Sequence, residues 1–202
     1  ICNLLDSYTC RAMATLDVEQ LVKAYALFET MCQQHLHLAV SELKASDVPL
    51  WHHKLLHAWC AVQQSPLERA VTPATVCSAH ADVWPEVQLV EQVGPHFGKA
   101  LSSAVAYQAL LFPGGSMEAV LPVYEDAVIA AFYNGCVVAA VESVLALVPV
   151  ERRMMVLEVG AGSGGTASSI LPVVEGVCER YMFTDVSEVF LRQARVRFAD
   201  IP

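Results

Sequence analysis

The chain has 202 residues, enough for one large domain or two small ones with a sizeable core. Apolar residues make up 55% and charged residues only 16%, so much of the surface must be buried in the core or against partners. A net charge of −9 and the lack of any lysine- or arginine-rich stripe disfavour nucleic acid and anionic membranes as partners, because binding their phosphates needs a basic face.

The chain opens on ICNLLDSYTCRAM, with neither an initiating Met nor a basic leader, and reads as a cut inside a longer protein rather than a signal peptide. Roughly the first hundred residues carry helical periodicity. In LDVEQLVKAYALFETMCQQHLHLAVSELKA, residues Leu21, Tyr25, Phe28, Met31 and Cys32 recur at three- and four-residue spacings and form one apolar face, with Asp17 able to cap the start. VPLWHHKLLHAWCAVQQSP predicts a second helix with Leu55, Leu56, Trp59 and Val62 inward, closed by Ser65-Pro66. A loop rich in Thr, Pro and Ser follows. DVWPEVQLVEQVG then restarts a helix with Pro85 in its first turn, and Gly94-Pro95 ends it.

The stretch from Leu111 to Ser116, LFPGGS, is a strong break. After MEAVLPVYEDAV comes a run from Val128 to Val150 that is about long enough to span a bilayer. It holds Asn134, Glu142 and Ser143, and an acid at mid-membrane costs roughly 2.5–3.5 kcal/mol. The expectation is therefore a buried core helix and no membrane span. MMVLEV, Met154 to Val159, is a continuous apolar run of the kind that makes a buried parallel strand. A glycine turn, a helix from about Thr166 to Val174, a strand RYMFTD ending at Asp185 and a helix capped by Ser187 complete the chain. Strand, glycine turn, helix, strand, acid, helix opens a doubly wound α/β fold. The expected division is a helical lid over 1–117 and the first half of a Rossmann-like core, with an incomplete parallel sheet, over 118–202.

The turn LEVGAGSGG, Leu157 to Gly165, decides the ligand class. Gly160-x-Gly162-x-x-Gly165 satisfies the dinucleotide fingerprint, with Asp185 where a ribose-binding acid belongs. Glu158 argues otherwise, because a carboxylate at the mouth of the cradle repels a pyrophosphate. S-adenosylmethionine offers an ammonium and a sulfonium instead, so Glu158-x-Gly160-x-Gly162-x-Gly164 favours it over a nicotinamide cofactor.

VLEVGAGSGGTASSILP and YMFTDVSEVFLRQARVRF resemble the C-methyltransferase domains of type I polyketide synthases, which are class I S-adenosylmethionine-dependent enzymes. The likeness extends upstream through VWPEVQLVEQVGPHFGKAL, ALLFPGGSMEAVLPVY and FYN. The resemblance implies methylation of the α-carbon of a β-ketoacyl chain held by phosphopantetheine on an acyl carrier protein. It implies that Glu158, Gly160, Ala161, Gly162 and Gly164 line the methionine end of the cofactor and that Asp185 takes the ribose. Tyr124, Tyr133 and Asn134 fall where the helices before the core pass near cofactor or substrate, and packing is an equal account of them. The family's catalytic base, a histidine paired with a glutamate, belongs to the later half of the core, beyond Pro202. No catalytic residue is therefore assigned on this chain, whose partner is expected to be the remaining half of the core or a subunit covering the open sheet. The alternative is a catalytically inactive relative that serves as a structural subunit.

Metal is not expected. His53 and His57 stand one helical turn apart beside His52, and His35 and His37 lie on the earlier helix, but no carboxylate lies near WHHKLLHAWC and an exposed polar face explains it. The seven cysteines, Cys2, Cys10, Cys32, Cys60, Cys77, Cys136 and Cys178, lack CxxC spacing and read as reduced thiols of a cytoplasmic compartment.

Overall fold

The computed structural model describes residues 2–63, 70–149 and 151–201. The chain forms two compact units, Val18–Pro122 and a second one that joins Ile1–Asp17 to Val123–Pro202. This differs from the contiguous division at 117/118. The N-terminal helix α1 (Cys2–Thr15) packs against the long apolar helix of the second unit, an association that local sequence does not encode.

Among the described residues, the first unit has helices and no strand: α2 (Val18–Ser41), α3 (His53–Gln63), α4 (Pro73–Ala79), α5 (Trp84–Val93), α6 (Phe97–Leu101) and α7 (Tyr107–Leu111). On α2 the expected apolar face is present, with Leu21 and Met31 buried and Tyr25, Phe28 and Cys32 half-buried. The Tyr25 hydroxyl donates to Glu86 Oε1 of α5 at 2.7 Å. Burial, then Glu29, pushes the Cys32 thiol up to about 11.

Three expectations for this unit are corrected. Leu55 is 44% exposed instead of inward; α3 turns Leu56 into a cluster with Val48 and Leu101, with Trp59 and Cys60 packed on it. The Thr- and Pro-rich stretch contains α4, because the Thr72 hydroxyl accepts from the Thr75 amide and Pro73 occupies the first turn. Gly94-Pro95 does not end the helical path, which continues through a 3₁₀ turn (Gly94–His96) into α6. Gly94 is in the right-handed helical region and serves close packing, since a Cβ there would meet the His35 ring at 2.6 Å. The expected stop at Ser65-Pro66 lies outside the described residues.

Two histidines of the cluster each bond a backbone carbonyl. His53 Nε2 pairs with the Val48 carbonyl at 2.9 Å and His52 Nδ1 with the Leu101 carbonyl at 2.8 Å. The Leu111–Ser116 break forms as expected, a tight turn with Gly114 and Gly115 at φ 61° and 82°.

Helix α8 (Leu121–Glu125) carries the chain across the boundary at 122/123, and the second unit continues with α9 (Val128–Leu145), β1 (Met154–Val159), α10 (Gly165–Val174), β2 (Cys178–Thr184) and α11 (Glu188–Arg197). By length and composition α9 could cross a membrane. One face, marked by buried Asn134, Ala139 and Ser143, packs against α1 and α10. Ile129, Tyr133, Val137 and Val144 are exposed, so the expectation of a buried core helix holds for one face only.

Strands β1 and β2 pair in parallel, with Leu157 opposite Met182 and Glu158 opposite Phe183. The continuous apolar run predicted burial on both faces of β1, and this too is corrected. Met155, Leu157 and Val159 are 65%, 57% and 79% exposed, whereas the alternate residues are half-buried. On the covered side, Tyr181 and Phe183 share a groove with Leu171 of α10 and Leu191 and Phe198 of α11 and its end.

Candidate functional site

The segment after β1 folds as a sequence of positive-φ glycines. Gly160, Gly162 and Gly164 have φ of 71°, 57° and 81°, a region that costs other L-residues about 1–2 kcal/mol each. Gly165 is helical and plays a different part: its absent Cβ would lie 2.7 Å from the Tyr124 carbonyl. The structure thus divides the two overlapping glycine patterns. The alternating 160-162-164 set builds the turn, and the fourth glycine makes room for a neighbouring backbone.

Hydrogen bonds within the turn and to the end of β2 fix it. Ala161 N–H donates to the Thr184 carbonyl at 2.9 Å and Gly164 N–H to the Ala161 carbonyl at 3.0 Å. The Asp185 carboxylate accepts from Gly162 N–H at 2.9 Å through Oδ2 and from Ser187 N–H at 2.8 Å through Oδ1. Ser187 is the N-cap of α11 as expected, but its side chain makes no capping bond, and Asp185 holds the entry instead. Each carboxylate oxygen retains acceptor capacity after one bond, so Asp185 can accept from further donors.

Glu158 points to the covered face of the sheet, where Oε2 accepts from the Tyr181 hydroxyl at 2.8 Å. Burial raises the Tyr181 hydroxyl well above the tyrosine range, and the hydrogen bond to Glu158 adds to it. Burial also pushes the Glu158 carboxyl above its ordinary 4.5, with the Tyr181 bond pulling the other way. A carboxyl raised in this way binds more protons folded than unfolded. Its stabilising contribution is present below the ordinary value and is lost as pH rises through the raised one. Glu158→Gln keeps an acceptor for Tyr181 and is expected to flatten the pH–stability curve from about pH 4.5 upward. Urea denaturation across that range measures it, and an unchanged slope would mean that the carboxylate is effectively in water.

Asn134 is buried at 9% exposure and spans two elements. Its Nδ2 donates to the Tyr124 carbonyl at 3.0 Å, and its Oδ1 accepts from the Thr166 hydroxyl at 2.9 Å. The backbone at Tyr124 is thereby brought to the first turn of α10, while the Tyr124 ring is 56% exposed. Tyr133 is exposed, its ring edge-on to Phe132 at 5.5 Å. Of the three upstream candidates, Asn134 and the Tyr124 backbone meet the segment that follows the turn.

Residues without a local sequence signal also converge here. Tyr181 partners Glu158, and Thr184 donates its hydroxyl to the Glu158 carbonyl at 2.7 Å. Arg197 reaches Glu125 and the Ser163 carbonyl. Only the position of Arg197 in the last turn of α11, where a cation suits the helix terminus, is a sequence-level hint. Among the described residues, no three His, Cys, Asp or Glu side chains cluster as a metal site would need.

As a cradle, the turn is open at its glycines. A Cβ on Gly160 would meet nothing within 4 Å, and one on Gly162 only the Gly160 carbonyl at 3.9 Å. That open space, two positive-φ glycines and a carboxylate at Asp185 fit a nucleoside cofactor that lies close to the backbone.

No protein-family model matches the chain. It is 31% identical over 195 residues to the pyochelin synthetase PchF of Pseudomonas aeruginosa, an alignment covering 87% of this chain and 10% of that protein. The chain thus spans about a tenth of the length of this relative. Its structure superposes on the CurJ carbon methyltransferase with a TM-score of 0.81 at 20% identity, over 98% of this chain and 62% of that one. The CMeT domain of the citrinin polyketide synthase matches with a TM-score of 0.79 at 20% identity, over 99% and 62%. The two-stranded parallel sheet is accordingly a partial core, and the chain has the α/β fold of the polyketide synthase carbon methyltransferases, from their helical region through the second strand–helix unit.

Proposed function

We propose that this chain is the helical and cofactor-binding part of an S-adenosylmethionine-dependent carbon methyltransferase domain, acting on the α-carbon of a β-ketoacyl chain presented by an acyl carrier protein. The observation that carries this is the turn itself: three alternating positive-φ glycines whose backbone is tied to the acid ending the second strand. In this reading the backbone of Gly160, Ala161, Gly162 and Gly164 lies along the methionine end, and Asp185 accepts from the ribose hydroxyls. Glu158 supplies negative charge below the turn that favours an ammonium and opposes a pyrophosphate. The bound cofactor supplies an electrophilic methyl group on sulfur. Tyr124 and Tyr133, both exposed, are available to the substrate or cofactor side. The base for the α-hydrogen and the group that stabilises the enolate belong to the rest of the core. That same remainder, or a partner subunit, covers the apolar sheet face of Met155, Leu157, Val159 and Met182.

Calorimetric titration of the native full-length polypeptide with S-adenosylhomocysteine and, in parallel, with reduced nicotinamide dinucleotide tests the proposal. Saturable binding of the first alone is expected. Binding of the dinucleotide alone would replace the assignment with an oxidoreductase, and binding of neither would favour the structural subunit.

A further inference from the structure

The Ser163–Gly164 peptide sits in the middle of the glycine turn and is held at both ends. Its N–H donates to the Ala161 carbonyl at 3.0 Å, and its carbonyl accepts from Arg197 Nη1 at 3.4 Å. The same Nη1 lies 2.5 Å from Glu125 Oε1, in a pair whose side chains are 30% and 21% exposed. Glu125 also accepts from the Ser168 hydroxyl at 3.4 Å. The guanidinium is further confined by the Phe198 ring, 5.1 Å from its centroid, and that ring closes on Gly164, where a Cβ would lie 3.0 Å away.

We infer that Arg197 and Glu125 form a latch that fixes the Ser163–Gly164 peptide, making Arg197 a positioning residue for the cofactor site; the inference rests on the function proposed above. Three observations separate this latch from an ordinary surface ion pair, which contributes about 0–1 kcal/mol. Its carboxylate side is partly shielded from solvent, the Glu125 side chain being 21% exposed, and one donor group serves both a carboxylate and an exposed turn carbonyl. It is also continued on the adjacent residue, since Asn134 ties Tyr124 to Thr166 while Arg197 ties Glu125 to Ser163. Consecutive residues before α9 are therefore bound to positions on either side of Gly164-Gly165. The two hydrogens of Nη1 lie in the guanidinium plane and point in fixed directions, one for each partner, whereas a lysine ammonium carries rotatable donors on a flexible stem and fixes neither direction.

Hydrogen exchange of the native full-length polypeptide, read on peptides spanning residues 160–168 without ligand, tests the latch directly. Arg197→Met keeps the packing stem and is expected to speed exchange there, with Glu125→Gln acting in the same direction and Arg197→Lys falling between Met and wild type. Under the proposed function, Arg197→Met also weakens S-adenosylhomocysteine about tenfold, the loss expected of one charge-assisted hydrogen bond. In turnover it raises KM for S-adenosylmethionine more than it lowers kcat. Unchanged exchange in both Arg197→Met and Glu125→Gln would overturn the latch. Faster exchange with unchanged affinity would overturn the positioning role. Faster exchange in a protein whose wild type binds no S-adenosylhomocysteine would uphold the latch and overturn the proposed function instead.

Discussion

Gly165→Ala is expected to destabilise the second unit by about 2–4 kcal/mol, combining overpacking with loss of a buried hydrogen bond. The added Cβ would lie 2.7 Å from the Tyr124 carbonyl oxygen, 3.2 Å from its carbon and 3.1 Å from its Cβ. Two of these three are backbone atoms, so the neighbour cannot yield by changing a rotamer. The Tyr124 carbonyl is also the acceptor for the buried Asn134 amide, and moving it leaves that donor without its partner. Gly160→Ala is the internal control. It carries the positive-φ penalty of about 1–2 kcal/mol, while its Cβ points into open space. Chemical denaturation of both variants measures the difference. Equal losses would mean that Tyr124 does not rest on α10 in solution, and the Asn134 bridge would fall with it.

The pairing of these two glycines shows what the sequence carries and what it hides. Glycine at 160, 162 and 164 announces a turn because its alternation after an apolar strand has few other causes, and β1, the turn, α10 and Asp185 were legible on that ground. The packing role of Gly165, like that of Gly94 against His35, depends on a partner 41 or 59 residues away and leaves no local trace. From its own helix Asn134 was legible only as a polar residue in an apolar run, and the family resemblance placed it near cofactor or substrate with packing as an equal account. That it bridges Tyr124 to Thr166 follows from how α9 meets α10, and no spacing within α9 encodes it. The side-chain pattern of β1 misled for a related reason. A run of apolar residues records that both faces are meant to be covered, while the described residues cover one. Leu55 and Leu56 are adjacent apolar residues on one helix, and periodicity alone did not choose between them. The cluster with Val48 and Leu101 did.

Asp185→Ala is expected to have the larger functional effect, because this carboxylate serves the fold and, under the proposed function, the ligand. In the free protein it accepts from Gly162 N–H and Ser187 N–H, at 2.9 and 2.8 Å. Hydrogen bonds to a charged group contribute about 1.5–3 kcal/mol each, and partial hydration of the freed amides brings the expected destabilisation to about 2–4 kcal/mol. Asp185→Asn retains one acceptor oxygen and presents an NH2 group to the second amide, so it should lose at least half as much. Two ribose hydroxyls bound by Asp185 would add a drop in S-adenosylhomocysteine affinity of about 100-fold or more for the alanine variant. The fold and ligand contributions separate in a cycle that pairs Asp185→Asn with an S-adenosylhomocysteine analogue lacking both ribose hydroxyls. If Asp185 holds the ribose, the asparagine penalty shrinks on the analogue, because the group it lost had nothing to accept from. An equal penalty on both ligands would reduce Asp185 to a brace that shapes the turn through Gly162, and the ribose contact would have to be sought elsewhere.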